Sequence, residues 1–381
     1  MNFVSQLKIF RSLPSLRRFS TVESATIPLS DFKLFKLENS PLSETVLTRE
    51  DALKYYTQMQ FIRRMETSIG NLYKEKKIRG FCHLYSGQEA IAVGIKSMMD
   101  PNDSLITAYR CHGFTYLLGN TVESIVAELC GRKNGCAKGV GGSMHMYGKN
   151  YYGGNGIVGA QVPLGAGVAL KHMYKGENNL CYALYGDGAA NQGQVFEAYN
   201  IAKLWNLPCV FVCENNKYGM GTSVDRASAN TKYYKRGDYI PGIWVDGMDV
   251  LTVREAARFV SEWCRSGMGP ILLEMETYRY HGHSMSDPGT SYRTRDEIQS
   301  VRKDRDPITA FGEKICSFGL ATNDEIKEID KNVRKSVDED VEKALSQPEP
   351  DQDFGFKNVY SKEPEDFVMR GCDNFTWNKS H

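Results

Sequence analysis

Two apolar stretches, 180–185 and 208–213, bracket a segment whose spacing reads as one helix over 193–205. This strand–helix–strand unit constrains the fold more than anything else in the chain. A helix of about 13 residues spans roughly 20 Å at 1.5 Å per residue, close to the length of a six-residue strand. The chain therefore returns to the same edge and lays down two parallel neighbours joined by a right-handed crossover. Further strands at 105–108 and 270–277 alternate with helical periodicity at 50–77, 88–99, 121–130, 161–174 and 252–265. That alternation predicts an α/β fold, a mostly parallel sheet with helices on both faces. Two later helices open on capping boxes, Thr294 with Glu297 and Thr322 with Glu325, the second running to Leu345. The length suits one large domain over 50–346, preceded by an extension over 23–49 and followed by a tail over 347–381, acidic, aromatic and expected to be irregular.

Composition narrows the setting. Forty-seven basic residues against 46 acidic ones leave a formal charge of +1, which gives no footprint for nucleic acid. Ten cysteines without CxxC pairs read as buried thiols in a reducing compartment. The first 22 residues carry Lys8, Arg11, Arg17 and Arg18, several serines and no acid, with Phe3, Leu7 and Phe10 at helical spacing. They read as a mitochondrial transit peptide cleaved near 18–21, the other reading being a plain basic tail. No apolar run is long enough to cross a bilayer, so the expected location is the mitochondrial matrix, without a membrane partner.

The chemistry is expected at the strand ends. Gly186-Asp187-Gly188 follows the first apolar strand and Asn215-Asn216 the second, so Asp187 and Asn216 should meet at one sheet edge. A carboxylate and an amide oxygen suit Mg²⁺, with a diphosphate as the partner ligand and the Tyr218 carbonyl as a further donor. Gly188 lets backbone N–H groups approach that anion, and the helix starting near Gln192 points its positive end toward it. Gly-Asp-Gly alone is a tight turn; joined by a crossover helix to Asn-Asn at the next strand end, it is the thiamine diphosphate signature. Twelve of the 35 glycines fall in 131–167 among Val, Met, Tyr and His, as in an ordered loop closely approached by a ligand rather than a linker. Within it, 154–159 matches GxGxxG. A dinucleotide site is not expected there: 149–152 does not read as a buried strand, and no strand ending in an acid follows about 20 residues later. Gly156 and Val158 are expected to line a pocket with their backbone.

His281 and His283 lie in a loop after 270–277. Zinc would need two more ligands, which leaves anion contact or proton transfer for His283, or a surface histidine. His83 is a second candidate, or else a packed core imidazole. Tyr109-Arg110 follows a strand, where an arginine suits a phosphate fork or is simply a surface residue. Ser223, Ser284 and Ser291 are by composition ordinary loop serines. A phosphate on Ser284 would set up to two negative charges beside His283.

The segments Gly186-Asp187-Gly188-Ala189-Ala190-Asn191-Gln192-Gly193, Glu214-Asn215-Asn216-Lys217-Tyr218-Gly219-Met220 and 278–292 closely resemble the α subunits of thiamine diphosphate-dependent 2-oxo acid dehydrogenases, the mitochondrial pyruvate dehydrogenase type above all. The resemblance runs from about Leu34 to the C-terminus and implies the thiamine diphosphate-binding fold. It also implies a tetramer of two α and two β chains, with a dihydrolipoyl acetyltransferase, a regulatory kinase and a phosphatase as partners. By resemblance Asp187, Asn216 and the Tyr218 carbonyl are Mg²⁺ ligands. Tyr109, Arg110, Gly156, Val158, Gly188, Ala189 and His283 are cofactor or substrate contacts, His83 is the active-site histidine, and Ser284, Ser291 and Ser223 are inhibitory phosphorylation sites. Gly148 departs from the family's usual Ala. The implied reaction is oxidative decarboxylation of pyruvate with acetyl transfer to a lipoyl arm, the cofactor supplying the carbanion chemistry. The glutamate that activates the cofactor belongs to β, so α alone is expected to be inactive. The neighbouring alternatives are a branched-chain 2-oxo acid dehydrogenase α subunit and a non-catalytic scaffold.

Overall fold

The computed structural model describes residues 21–351, 354, 362, 368–370 and 377–379. The segment read as a transit peptide, 1–22, falls almost wholly outside the described residues. Seven strands form the main sheet: β1 (Lys33–Phe35), β2 (Ser104–Ala108), β3 (Tyr151–Asn155), β4 (Cys181–Gly186), β5 (Cys209–Asn215), β6 (Gly242–Asp246) and β7 (Ile271–Glu276). Their order is β1-β6-β7-β5-β4-β2-β3. Every pairing is parallel except β1 on β6. The edge strand β1 comes from the stretch set apart in the sequence as an extension. Its flanking segments Ser24–Pro28 and Glu44–Thr48 pair with each other antiparallel.

The helices of six or more described residues are α1 (Arg49–Lys74), α2 (Glu89–Met98), α3 (His112–Leu117), α4 (Val122–Leu129), α5 (Gln161–Tyr174), α6 (Gly193–Leu204), α7 (Val250–Arg265), α8 (Arg295–Arg305), α9 (Pro307–Ser317) and α10 (Asn323–Ser346). Period-two alternation assigns the strand side chains to opposite faces. Tyr182, Leu184, Val210, Val212 and Leu273 pack with the buried faces of α1, α2 and α7. Cys181, Ala183, Tyr185, Cys209 and Phe211 pack with α5 and α6 on the other side. Burial of a side chain such as Phe211 contributes roughly 2–3 kcal/mol, and β4 and most of β5 are apolar on both faces for this reason, whereas β7 carries Glu274 and Glu276 on one of its faces.

The predicted crossover is present: β4 and β5 are parallel neighbours in register from Cys181↔Cys209 to Gly186↔Glu214, with α6 between them in the chain. From β2 the chain runs outward to β3, whereas from β4 it runs the other way to β5. Connections thus diverge at the β2/β4 boundary and open a crevice at the carboxyl ends.

Several expectations change. Tyr151 is buried and begins β3, so a strand does precede the GxGxxG segment; it lacks an apolar run because it lies at the sheet edge. Its one neighbour in the sheet among the described residues, β2, ends in Ala108 and offers no ribose-binding acid. Thr322 and Glu325 form a full capping box, but Thr294 and Glu297 form half of one. Thr294 accepts from the Glu297 N–H, while the Glu297 carboxylate instead accepts from Tyr218 and Tyr278 hydroxyls. In the tail expected to be irregular, Val368–Arg370 pairs antiparallel with Trp377–Lys379. The nine described cysteines are free thiols, and no described helix is long and apolar enough to cross a membrane.

Candidate active site

The carboxyl ends of β4 and β5 finish level, and the residues just beyond them converge. Asp187 is 2% exposed and its carboxylate lies against the Asn216 N–H. Burial pushes its carboxyl up to about 6, opposed by backbone N–H groups and by the nearby Arg279 charge. The two loops touch through glycine: a Cβ on Gly188 would stand 3.1 Å from Gly219 Cα. Lys217 and Met220 take φ values of 74° and 57°, so the turn after Asn216 is held against ordinary backbone preference.

A buried network orients the Asn216 amide. Its Nδ2 donates to Gln88 Oε1 at 3.1 Å, and Gln88 and the Tyr85 hydroxyl in turn donate to Glu214, at 3.3 and 2.6 Å. Burial raises the Glu214 carboxyl to about 7. On the other side Asn216 Oδ1 accepts from Arg279 Nη1 at 3.3 Å, as does the Tyr218 carbonyl at 2.7 Å. Arg279 is 1% exposed and also donates to the Met220 carbonyl and the Tyr292 hydroxyl. The two oxygens are therefore aimed at positive charge. With the Asp187 carboxylate they are oxygen donors of the kind Mg²⁺ prefers, two of them engaged by Arg279 here. Sequence reasoning named Asp187, Asn216 and Tyr218 but missed Arg279, Gln88 and Glu214. The one available signal was an acid at the end of an otherwise apolar central strand.

A second cluster joins three aromatic rings. His83 packs on Tyr109 with centroids 4.5 Å apart and meets His283 edge-on at 5.2 Å; Tyr109 and His283 are 5.6 Å apart. Burial, with the Arg110 charge second, lowers the His83 imidazole to about 2 and His283 to about 4, so both rings are neutral near pH 7. Arg110 is buried, and its fork is already engaged: Nη1 donates to the Leu84 carbonyl at 2.6 Å and Nη2 to the His283 carbonyl at 2.8 Å. It knits the His83 segment to the 281–288 loop.

The glycine-rich stretch is an ordered loop. Glu128 at the end of α4 accepts from the N–H groups of Ala137, Gly139, Gly141 and Gly142 at 2.7–3.2 Å, an internal anion wrapped by backbone. Downstream, Gly156 lies beside the His145 ring, and the Val158 carbonyl accepts from Gln192 Nε2, tying the loop after β3 to the one after β4. A Cβ at Gly148 would meet only ordinary contacts at 3.5–3.6 Å, so the family's Ala would fit the same backbone. Ala189 is buried behind Gly188, just before the α6 N-terminus.

Of the three serines, Ser284 is 5% exposed with its hydroxyl on Ser286, and Ser291 is exposed. Ser223 pairs directly across from Tyr218 in a two-residue antiparallel bridge.

Residues 57–353 match the model of the family described as dehydrogenase E1 component. The chain belongs to the dehydrogenase E1 component family. This is a thiamine diphosphate-dependent family, in keeping with the glycine turn and the oxygen donors at the β4 and β5 ends. Among its E1 component relatives, the chain is 64% identical over 332 residues to the probable pyruvate dehydrogenase E1 component subunit alpha, mitochondrial, of Caenorhabditis elegans, covering 87% of this chain and 84% of that one. It is 61% identical over 344 residues to the type II subunit alpha of Ascaris suum, covering 90% and 88%. To the somatic-form subunit alpha of Homo sapiens it is 58% identical over 377 residues, covering 99% and 96%.

Proposed function

We propose that this chain is the α subunit of a mitochondrial pyruvate dehydrogenase, acting in the matrix with a β subunit to decarboxylate pyruvate oxidatively and pass the acetyl unit to a lipoyl group. The observation that carries this reading is the convergence of Asp187, Asn216 and the Tyr218 carbonyl at adjacent strand ends, in a chain about 60% identical to named pyruvate dehydrogenase α subunits. That identity favours pyruvate over a branched-chain 2-oxo acid.

Thiamine diphosphate, when bound, supplies the carbanion chemistry. In this reading Asp187, Asn216 and the Tyr218 carbonyl hold Mg²⁺. The Gly188 and Ala189 backbone and the N-terminus of α6 receive the diphosphate, while Gly156 and Val158 line the cofactor with backbone. Tyr109 and His283 border the cofactor and substrate. Arg110 fixes that border and adds positive potential for an anionic substrate. His83 faces the substrate as a neutral imidazole able to donate or accept a proton. The exposed apolar side chains Ile157, Val158 and Leu164 near this edge fit a surface covered by the β chain. An acyltransferase, a kinase and a phosphatase complete the partners. Phosphate on Ser284, Ser291 or Ser223 would oppose a bound diphosphate, and Ser284 has to leave its buried position first.

The test uses the chain reconstituted with its β partner. Pyruvate turnover that requires thiamine diphosphate and Mg²⁺, and exceeds 2-oxoisovalerate turnover, is the expected result. Preference for 2-oxoisovalerate would instead assign the branched-chain role, and turnover by α alone would overturn the shared site.

A further inference from the structure

The segment 81–86, which carries His83, is neither helix nor strand, so side chains must meet its backbone N–H groups. The Tyr85 N–H donates to Glu66 Oε1 at 2.8 Å. The His83 N–H donates to Ser143 Oγ at 3.1 Å, Ser143 Oγ lies 2.9 Å from His112 Nε2, and His112 Nδ1 lies 3.0 Å from Glu66 Oε2. Glu66, His112 and Ser143 are all buried, Glu66 and His112 completely.

One proton arrangement uses every group once. With Ser143 Oγ accepting from the His83 N–H, its own hydrogen is free to go to His112 Nε2, and an Nδ1–H on His112 then goes to the Glu66 side chain. A chain polarised in one direction by a terminal carboxylate is cooperatively strengthened in a dry interior. The same carboxylate thus grips the segment on both sides of His83, directly at Tyr85 and through two side chains at His83. The His83 Nδ1 is buried without a hydrogen-bond partner among the described residues. Ring orientation therefore depends on this backbone hold and on the Tyr109 and His283 faces.

We propose that Glu66, His112 and Ser143 form a positioning relay that fixes His83 for the reaction. The relay resembles a Ser–His–acid triad in its spacing, but its hydroxyl is committed to a backbone N–H and does not act as a nucleophile. The inference rests on the reading of His83 as the group that faces the substrate.

Ser143→Ala, Ser143→Thr, His83→Ala and the Ser143→Ala/His83→Ala double variant, each reconstituted with β, test it. Ser143→Ala is expected to lower kcat about tenfold, the scale of a small misplacement of a reacting group. KM for pyruvate and thiamine diphosphate affinity should stay close to wild type, Tm should fall by a few degrees at most for the lost buried partner of the His83 N–H and His112, and Ser143→Thr should recover most of the rate. In the His83→Ala background the Ser143→Ala change should cost less than about twofold, because it acts through His83. A full tenfold loss in that background, or no loss from Ser143→Ala alone, overturns the relay while leaving the reading of His83 intact. Wild-type kcat in His83→Ala removes both.

Discussion

Two neutral imidazoles set how the site responds to acid. His83 and His283 hold folded-state values near 2 and 4 against an ordinary 6.5. Between about pH 4 and 6.5 the unfolded chain therefore binds protons that the folded chain does not. Their contribution is complete above pH 6.5 and is lost as the pH falls, by up to about 1.4 kcal/mol per histidine per pH unit. Asp187 and Glu214, raised to about 6 and about 7, take up protons in the folded chain over the same range and oppose this loss, so the histidine part is read as a difference. From pH 7.5 to 5.5 the wild type should lose about 2 kcal/mol relative to the His83→Gln/His283→Gln variant, with His283 discounted for its partial exposure, measured from urea midpoints. The same pH dependence in the variant as in the wild type would contradict the assignment. Gln88 belongs to the same scale. Because it holds the Asn216 amide, Gln88→Ala should weaken divalent cation affinity roughly ten- to a hundredfold with the fold retained, measured by calorimetry; unchanged affinity would assign Gln88 to packing alone. Asp187, Asn216 and Tyr218 were legible in the sequence because short motifs sat at predicted strand ends. Gln88, Arg279, His112 and Ser143 were not, since each reaches its partner across tens to more than a hundred residues of chain that local pattern does not relate.

At the scale of elements, the glycine-rich loop depends on one carboxylate. Glu128 takes four backbone N–H groups from 137–142 and so fixes Ser143 and the approach to Gly156. Glu128→Ala should cost about 3 kcal/mol, the range for buried hydrogen bonds to a charged group. Amide exchange over 137–145 should rise before global unfolding does. Unchanged protection there would mean that glycine turns alone order the loop. The helices α5, α6 and α10 were legible to within a residue or two because their apolar spacing is regular. Strands β1, β3 and the interior β6, and helices α3 and α9, were not. β1 and β3 are edge strands without an apolar run, and α9 opens on Asp306 with Pro307 at its first turn, directly after α8, so the two read as one polar stretch.

For the whole molecule, the alternation of strands and helices foretold a parallel α/β sheet, and the sheet order then did what sequence pattern alone leaves open. It placed β4 beside β5 and set the loops after β2, β4, β5 and β7 along one edge. The β6/β7 order and the antiparallel β1 arise from long-range pairing that periodicity does not encode. The account's central claim is that Asp187 and Asn216 clasp one divalent cation for the diphosphate. Mn²⁺ titrated, in place of Mg²⁺, into the α–β assembly with thiamine diphosphate, with free Mn²⁺ followed by electron paramagnetic resonance, tests it directly. The account predicts one tight ion per α chain in the wild type, and none at the same concentration in Asp187→Ala at unchanged Tm. An Asp187→Ala assembly that keeps the tight ion would contradict it.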